Sequence, residues 1–345
     1  MSEPELFSCG ADRYTPAHVL AAAAFWGEVD GLYVESLQRV QALKRAQTEN
    51  VQVSDDELQA QSEAFRRYHG LRTARATENW MSIRGVTVAE FTDFLEREAL
   101  RGRLKEAPSR SRKDPARDGS AVAYLWPDAV FTGLGDDWCQ RLAVRAAAAR
   151  EVAEDNGIPA SLFDTGGEAA ARLMRWLERF GLGTVWFERL RALDAAYTHF
   201  AASVQTPSQL DAALRARWEK LFAVELEIGG FNTEAAAREA LLCITEDGAT
   251  FEAICGEGGG LLHRGTMLLG DLPDLVRTQA LSLPVGSLLP VFNWDDRYIV
   301  CRVIGKSEPT LDDPRVRDTV VAAVLDEAVA PLLKRHITWP RGAAR

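Results

Sequence analysis

At Trp218 the hydrophobic repeat of this chain changes period. Upstream, apolar residues recur at three- and four-residue spacing among charged ones; downstream, Val224-Glu-Leu-Glu-Ile228 alternates residue by residue. Alternation puts Val224, Leu226 and Ile228 on one face of a strand and turns Glu225 and Glu227 to water, whereas a helix would spread both classes around its surface. A chain that switches in this way needs a helical part and a part built on a sheet. The fold class that follows is α+β, mostly α. With 345 residues, 47% of them apolar and 26% charged, there is enough material for two or three cores.

The helical part carries its own punctuation. Ser54-Asp-Asp-Glu57 has the pattern of a capping box and opens an amphipathic run to about Tyr68, ended by Gly70. A second box, Thr87-Val-Ala-Glu90, opens a helix with Phe91, Phe94, Leu95, Ala99 and Leu100 on one core-facing stripe. Residues 1–106 therefore read as a helical region. Residues 107–120 (APSRSRKDPARDGS) lack large apolar side chains and read as a linker or long loop, with Arg110, Arg112 and Lys113 on a hydrated hinge. Residues 121–218 form a second helical unit. In it Trp176, Gly181 and Phe187 repeat the spacing of Trp80, Gly85 and Phe91, which predicts two similar helical hairpins packing together.

Beyond the switch, Thr233 to Leu242 reads as a helix and Leu288 to Val303 as strand-rich, with a turn at Trp294-Asp-Asp-Arg297. Asp312-Asp-Pro314 starts a last amphipathic helix that runs through Leu333 toward Trp339, its acids beside the positive end of the helix dipole. Residues 219–308 form the α+β module and 309–345 the carboxy-terminal helix.

Several function classes are disfavoured. The net charge of -10 argues against a generic nucleic-acid or anionic-membrane binder. The five cysteines are odd in number and without C-x-x-C spacing, which fits neither a disulfide framework nor a zinc ribbon and points to a reducing, cytoplasmic setting. The amino terminus has no basic segment followed by an apolar one, and the run Ala21 to Phe25 is too short to span a bilayer. Gly256-x-Gly258-Gly-Gly260 matches no phosphate-binding fingerprint, and Asp295-Asp296 reads as a charged turn without a His or Cys partner. The nucleophile and zinc signatures G-x-S-x-G and H-E-x-x-H are absent, so neither a cofactor nor a metal is expected.

The segment from about Lys220 to Lys306 resembles a parvulin-type peptidyl-prolyl isomerase domain. The resemblance rests on a strand and helix ending in Glu246-Asp-Gly-Ala-Thr-Phe251, then Gly258-Gly-Gly-Leu-Leu-His-Arg-Gly265-Thr-Met267. It continues with Leu281-Ser-Leu283-Pro-Val-Gly286-Ser-Leu-Leu-Pro-Val, one residue shorter than the family's L-x-x-G-x-x-x-x-P-V, and closes on Arg297-Tyr-Ile-Val-Cys-Arg-Val303. A helical region before the module and a helix after it is similar to the SurA-like family and to PpiC-related proteins of bacterial peptide-maturation clusters, with Phe65-Arg-Arg-Tyr-His-Gly-Leu71 to Leu104 resembling the SurA-like amino-terminal domain. The resemblance implies a discontinuous helical domain, with Val316, Val320 and Val324 of the last helix docking back on the helical half and the module as a satellite.

The departures bear on activity. Parvulins carry a His on the first strand and another on the last; here no His lies between His199 and His263, and Tyr298 stands at the last-strand position. The loop from Phe251 to Gly260 is short, and Cys255 is near but unaligned. Twisting an X-Pro amide means crossing a barrier of about 18–20 kcal/mol, which an apolar pocket and desolvation of the carbonyl lower without an obligatory acid, base or metal. The residues expected to form such a pocket are Met267, Leu272, Val276 and Phe292, with Tyr298 as hydroxyl donor and His263, beside Arg264, available to an anionic group on a peptide. The same apolar residues equally make an ordinary small core. The expected function is peptide binding with weak or lost isomerase activity, in the maturation of a ribosomally made peptide. The alternatives are an active isomerase or chaperone, and a peptide-modifying enzyme that reuses the fold. A groove of the helical domain is expected to give the main contact, with Phe65, Tyr68, Trp80 and Phe91 lining it or filling the core.

Overall fold

The computed structural model describes residues 4–104, 119–155, 167–257 and 259–340. It has two compact units: Met1–Ser203 with Ala328–Arg345, and Val204–Glu327. Residues 107–118 of the expected linker, with Arg110, Arg112 and Lys113, lie outside the described residues.

The first unit opens with a hairpin that the helical reading of residues 1–106 missed: β1 (Phe7–Cys9) and β2 (Asp12–Tyr14), turned at Gly10 with φ 61°. Strands this short show too little alternation to be seen in sequence. Next comes α1 (Pro16–Phe25), capped by Thr15 with Pro16 in its first turn. The run Ala21 to Ala23 is fully buried in it, so the alanines serve close helix packing. Then follow α2 (Val29–Glu49), α3 (Asp55–Tyr68), α4 (Ala74–Ile83), α5 (Val88–Leu104), α6 (Leu125–Phe131), α7 (Leu134–Asp155), α8 (Gly167–Arg179) and α9 (Thr184–Val204).

Caps fix the starts of α3 and α5. Ser54 Oγ accepts from the Glu57 amide at 3.3 Å, while the Glu57 carboxylate pairs with Arg103. Thr87 and Glu90 form a reciprocal box, with the Thr87 amide donating to Glu90 at 2.7 Å and the Glu90 amide to Thr87 Oγ1 at 3.2 Å. Gly85 and Gly181, at φ 67° and 72°, turn the two predicted hairpins. Their tryptophans differ: Trp176 is buried and donates to Asp30 at 2.8 Å, whereas Trp80 is half-buried.

A buried ionic cluster joins α2, α5 and α6. Asp128 is fully buried and accepts from Arg39 at 3.3 Å and from Arg97 at 2.9 and 3.3 Å. The remaining donors are also used: Arg39 reaches Glu98 at 2.6 Å and Glu35 at 3.2 Å, and Arg97 reaches Asp93 at 2.8 Å. Burial alone would lower the Arg97 pKa, but hydrogen bonds to Asp128 and Asp93 and their charges outweigh it, so the net direction is up.

The second unit starts with α10 (Pro207–Ala216) and α11 (Trp218–Leu221), then β3 (Ala223–Phe231), α12 (Glu234–Glu246), α13 (Phe251–Glu257), β4 (Leu261–Leu268), α14 (Asp274–Ser282), β5 (Leu288–Trp294) and β6 (Arg297–Ser307). The strands form one antiparallel sheet in the order β4-β3-β6-β5. Asp295 and Asp296, at φ 49° and 62°, make the two-residue turn between β5 and β6, as the twist of a tight hairpin requires. Val224, Leu226 and Ile228 lie on one face with Cys301, Val303, Leu272, Val276 and Ala280. Phe231 and Val300 lie on the other, against Ala237, Ala240, Ile244, Phe251 and Cys255 from α12 and α13. Because helices cover both faces, Glu227 is 4% exposed, which corrects the expectation that it faces water; Glu225 does.

The last helix, α15 (Pro314–His336), contributes to both units. Val316, Val320 and Val324 lie against Leu210 and Ala213 of α10, which falls within the helical residues 121–218, and against Leu221 of α11. In the first unit Arg335 and His336 pair with Glu151 of α7 at 2.9 and 3.0 Å, and β7 (Ile337–Thr338) pairs with β1 through Cys9↔Ile337 and Ser8↔Thr338. The Trp339 ring lies 5.4 Å from that of Phe7. Among the described residues no helix is long and apolar enough to cross a membrane.

The ionic cluster yields a graded expectation. Asp128→Asn leaves two buried guanidiniums short of a counter-charge and should cost about 3–5 kcal/mol in urea unfolding. Asp93→Asn removes a carboxylate that is 38% exposed and should cost about 1 kcal/mol or less in the same measurement.

Candidate functional site

The residues expected to form a prolyl pocket do not come together as one. Leu272 and Val276 are 3% and 2% exposed and belong to the core on the α14 side of the sheet, with Met267 and Phe292 packed at its margin. Tyr298 sits opposite Phe231 and Asn293 and packs with the cluster on the α12 and α13 side. Its neighbour Ile299 belongs to the α14 side, as period two demands. The Tyr298 hydroxyl and the four apolar residues are therefore on opposite faces. The four apolar residues gather in the core on one face and Tyr298 stands on the other, an arrangement set by strand register, which sequence spacing does not reveal. His263 is exposed on β4, paired with Ile228.

Around Glu227 the sheet carries an ionic group. Arg264 donates from Nε to Glu227 at 2.7 Å and also pairs with Glu252, so this guanidinium already holds two carboxylates. Arg302 lies 3.6 Å from Glu227, its guanidinium 5.1 Å from the centre of the Phe251 ring. Hydrogen bonds to Glu227, with its charge and that of Glu252, raise Arg264. Cys255 is raised by burial first and then by Glu227 and Glu252, and burial pushes Cys301 up to about 12. Both thiols stay protonated near neutral pH and are poor nucleophiles. Among the described residues no His, Cys, Asp and Glu group could hold a metal ion.

Open apolar surface lies in the first unit, beside α3. This helix is amphipathic, yet it buries none of its side chains. On one side a cavity of about 300 Å3 is lined by Leu58 and Ser62 of α3, Thr77 and Met81 of α4, and Phe91 and Leu95 of α5. On the other, a cavity of about 600 Å3 is lined by Phe65, Tyr68, His69, Phe131, Leu134, Asp136 and Asp137.

Between the two runs a set of aromatic contacts. Phe65 lies 4.8 Å from Phe91, 5.4 Å from Trp80 and 4.4 Å from His69, with Phe131 5.2 Å from Phe91. Phe91 is core, Phe65 and Trp80 are half-buried, and Tyr68 is 86% exposed. Arg84 stacks 4.0 Å from the Trp80 ring and grips Asp136 at 2.7 to 3.1 Å. His69 is lowered by burial first and then by repulsion from Arg84, which favours the uncharged ring at neutral pH. Sequence reasoning found the aromatics of α3 to α5 but missed Phe131, Asp136 and Asp137, which enter the site from α6 and α7 with no local signal linking them to α3.

Neither a family model nor a curated protein matches the chain. Solved structures similar to it include foldase protein PrsA from Streptococcus pneumoniae, at 11% identity and TM-score 0.28 over 96% of this chain and 89% of that one. Foldase protein PrsA from Lactococcus lactis gives 12% and 0.27 over 99% and 96%. The peptidylprolyl isomerase PrsA from Bacillus anthracis gives 16% and 0.28 over 48% and 79%. At TM-scores this low the likeness says nothing of the activity of this chain.

Glu227 provides a contrast to Asp128. Its partners Arg264 and Arg302 are 53% and 31% exposed and can return to water when it is removed. Glu227→Leu should therefore change the unfolding free energy by about 1 kcal/mol or less in denaturant melts.

Proposed function

We propose that this protein is a parvulin-related, SurA-like peptide binder that holds a client segment in the groove beside α3, with prolyl isomerase activity weak or lost. The observation that carries the reading is the disposition of apolar surface. In the second unit Leu272 and Val276 are consumed by the core, and Tyr298 is on the other face of the sheet. In the first unit α3 leaves cavities of about 300 and 600 Å3 on its two sides, lined by aromatic and aliphatic side chains together with polar and charged ones. Concave, mostly apolar sites with a few polar groups are where ligands gain affinity from desolvation. The resemblance of residues 220–306 to the parvulin family supports a polypeptide as ligand. Function on a shared fold is decided by its site, and here the family's strand histidines are absent. The reading extends to a cytoplasmic protein assisting maturation of a ribosomally made peptide, supported by an odd number of cysteines without C-x-x-C spacing and by the likeness of its layout to PpiC-related proteins of peptide-maturation clusters.

Calorimetry with precursor peptides encoded beside the gene tests binding, and an X-Pro isomerisation assay tests activity. The expected outcome is saturable binding, weakened about tenfold or more by Phe65→Ala through loss of a ring from the groove. Isomerisation should proceed at the uncatalysed rate for wild type and Tyr298→Phe alike. Turnover that falls in Tyr298→Phe would establish the isomerase reading instead, and absence of affinity for every neighbouring peptide would remove the binding reading.

A further inference from the structure

We propose that the cavity between α3 and the start of α7 is a subsite for a basic side chain, the guanidinium or ammonium of an Arg or Lys in the bound peptide, held between the Tyr68 ring and the Asp137 carboxylate. The inference rests on the peptide-binding reading and adds to it a chemical preference.

The cavity of about 600 Å3 is lined by the aromatic rings of Phe65, Tyr68, His69 and Phe131 and by Asp136 and Asp137, with Ala64, Thr132, Gly133 and Leu134 completing it. Aromatic faces and carboxylates attract cations by different physics, the ring quadrupole and Coulomb attraction, and together they form the usual environment of a bound guanidinium. The chain itself has such an arrangement next door: Arg84 lies 4.0 Å over Trp80 and makes a bidentate pair with Asp136. Asp136 is thereby neutralised, whereas Asp137 is exposed at the cavity. A place in the first turn of α7 accounts for an acid at position 137 through the helix dipole. It does not account for the aromatic residues that line the same cavity, among which Tyr68 keeps 86% of its surface in water. His69 adds no competing charge at neutral pH, being lowered by burial and by Arg84. With two carboxylates and one guanidinium around it, and a net charge of -10 on the chain, the cavity favours a cation over an anion.

The test compares two peptides, Ac-Ala-Phe-Arg-Leu-Ala-NH2 and the same peptide with citrulline for arginine, which keeps the shape and removes the charge. Both are titrated into the full-length protein, into Asp137→Asn and into Tyr68→Leu, with circular dichroism melts verifying the fold of these two exposed-site variants. The arginine peptide should bind wild type about tenfold or more tightly than the citrulline peptide. Asp137→Asn should abolish that ratio, Tyr68→Leu should reduce it, and 0.5 M salt should shrink it by screening, roughly as expected for a half-exposed pair. Equal affinities of the two peptides for wild type, or a ratio unchanged in Asp137→Asn, would overturn the cation subsite and leave peptide binding standing. Failure of both peptides and of the neighbouring precursors to bind would overturn the peptide-binding reading itself.

Discussion

Asp128 sits with no solvent exposure between the guanidiniums of Arg39 and Arg97, themselves 2% and 0% exposed. Burying three charges carries a large desolvation penalty, which is offset here because nearly every donor finds an acceptor: Glu35 and Glu98 take the rest of Arg39, and Asp93 takes that of Arg97. The geometry tolerates little sliding. A shift of α5 along α2 by one turn would separate Arg97 from Asp128 and leave charges unpaired in a dry interior, so the cluster fixes the register of α2, α5 and α6. The floor of the groove follows from that register, since Phe91 and Leu95 stand on α5 and Phe131 on α6.

The two buried carboxylates among the described residues are not equivalent. Asp128 is held by cations that cannot reach water, while Glu227 is held by Arg264 and Arg302, which can. One cluster determines how helices pack. The other lets a central strand, covered on both faces, carry a charge to the sheet surface. Burial raises Cys255 and Cys301, so neither thiol of this sheet is a ready nucleophile near neutral pH. Open apolar surface is found where a helix is amphipathic but incompletely covered, at α3.

Local order was legible in the sequence because it depends on residues three, four or two positions apart. The boxes at Ser54 and Thr87, the glycines at 85 and 181, the alternation from Val224 to Ile228 and the turn at Asp295-Asp296 each specify a local conformation through their own hydrogen bonds or φ preferences. The aromatic residues from Phe65 to Phe91 are dense in the sequence and cluster in space beside α3. Short strands escaped this reading. Phe7 to Cys9 has too few residues for alternation to appear, and its partner Ile337 lies at the other end of the chain.

Tertiary structure decided what depends on contacts distant in sequence. It placed Tyr298 on the face opposite Leu272 and Val276, because antiparallel register, and not residue type, sets which side of a sheet a side chain takes. It buried Glu227, whose alternation predicts exposure, by covering the second face of β3 with α12 and α13. It set Val316, Val320 and Val324 against α10, and it brought Asp137 of α7 to the same cavity as Tyr68 of α3. The sequence by itself determined the longer helices, the alternating strand at Val224 to Ile228 and which of their faces are apolar, through period and capping; which apolar face is covered and which is left open was decided only by packing, since burial is a property of neighbours that the chain supplies from elsewhere.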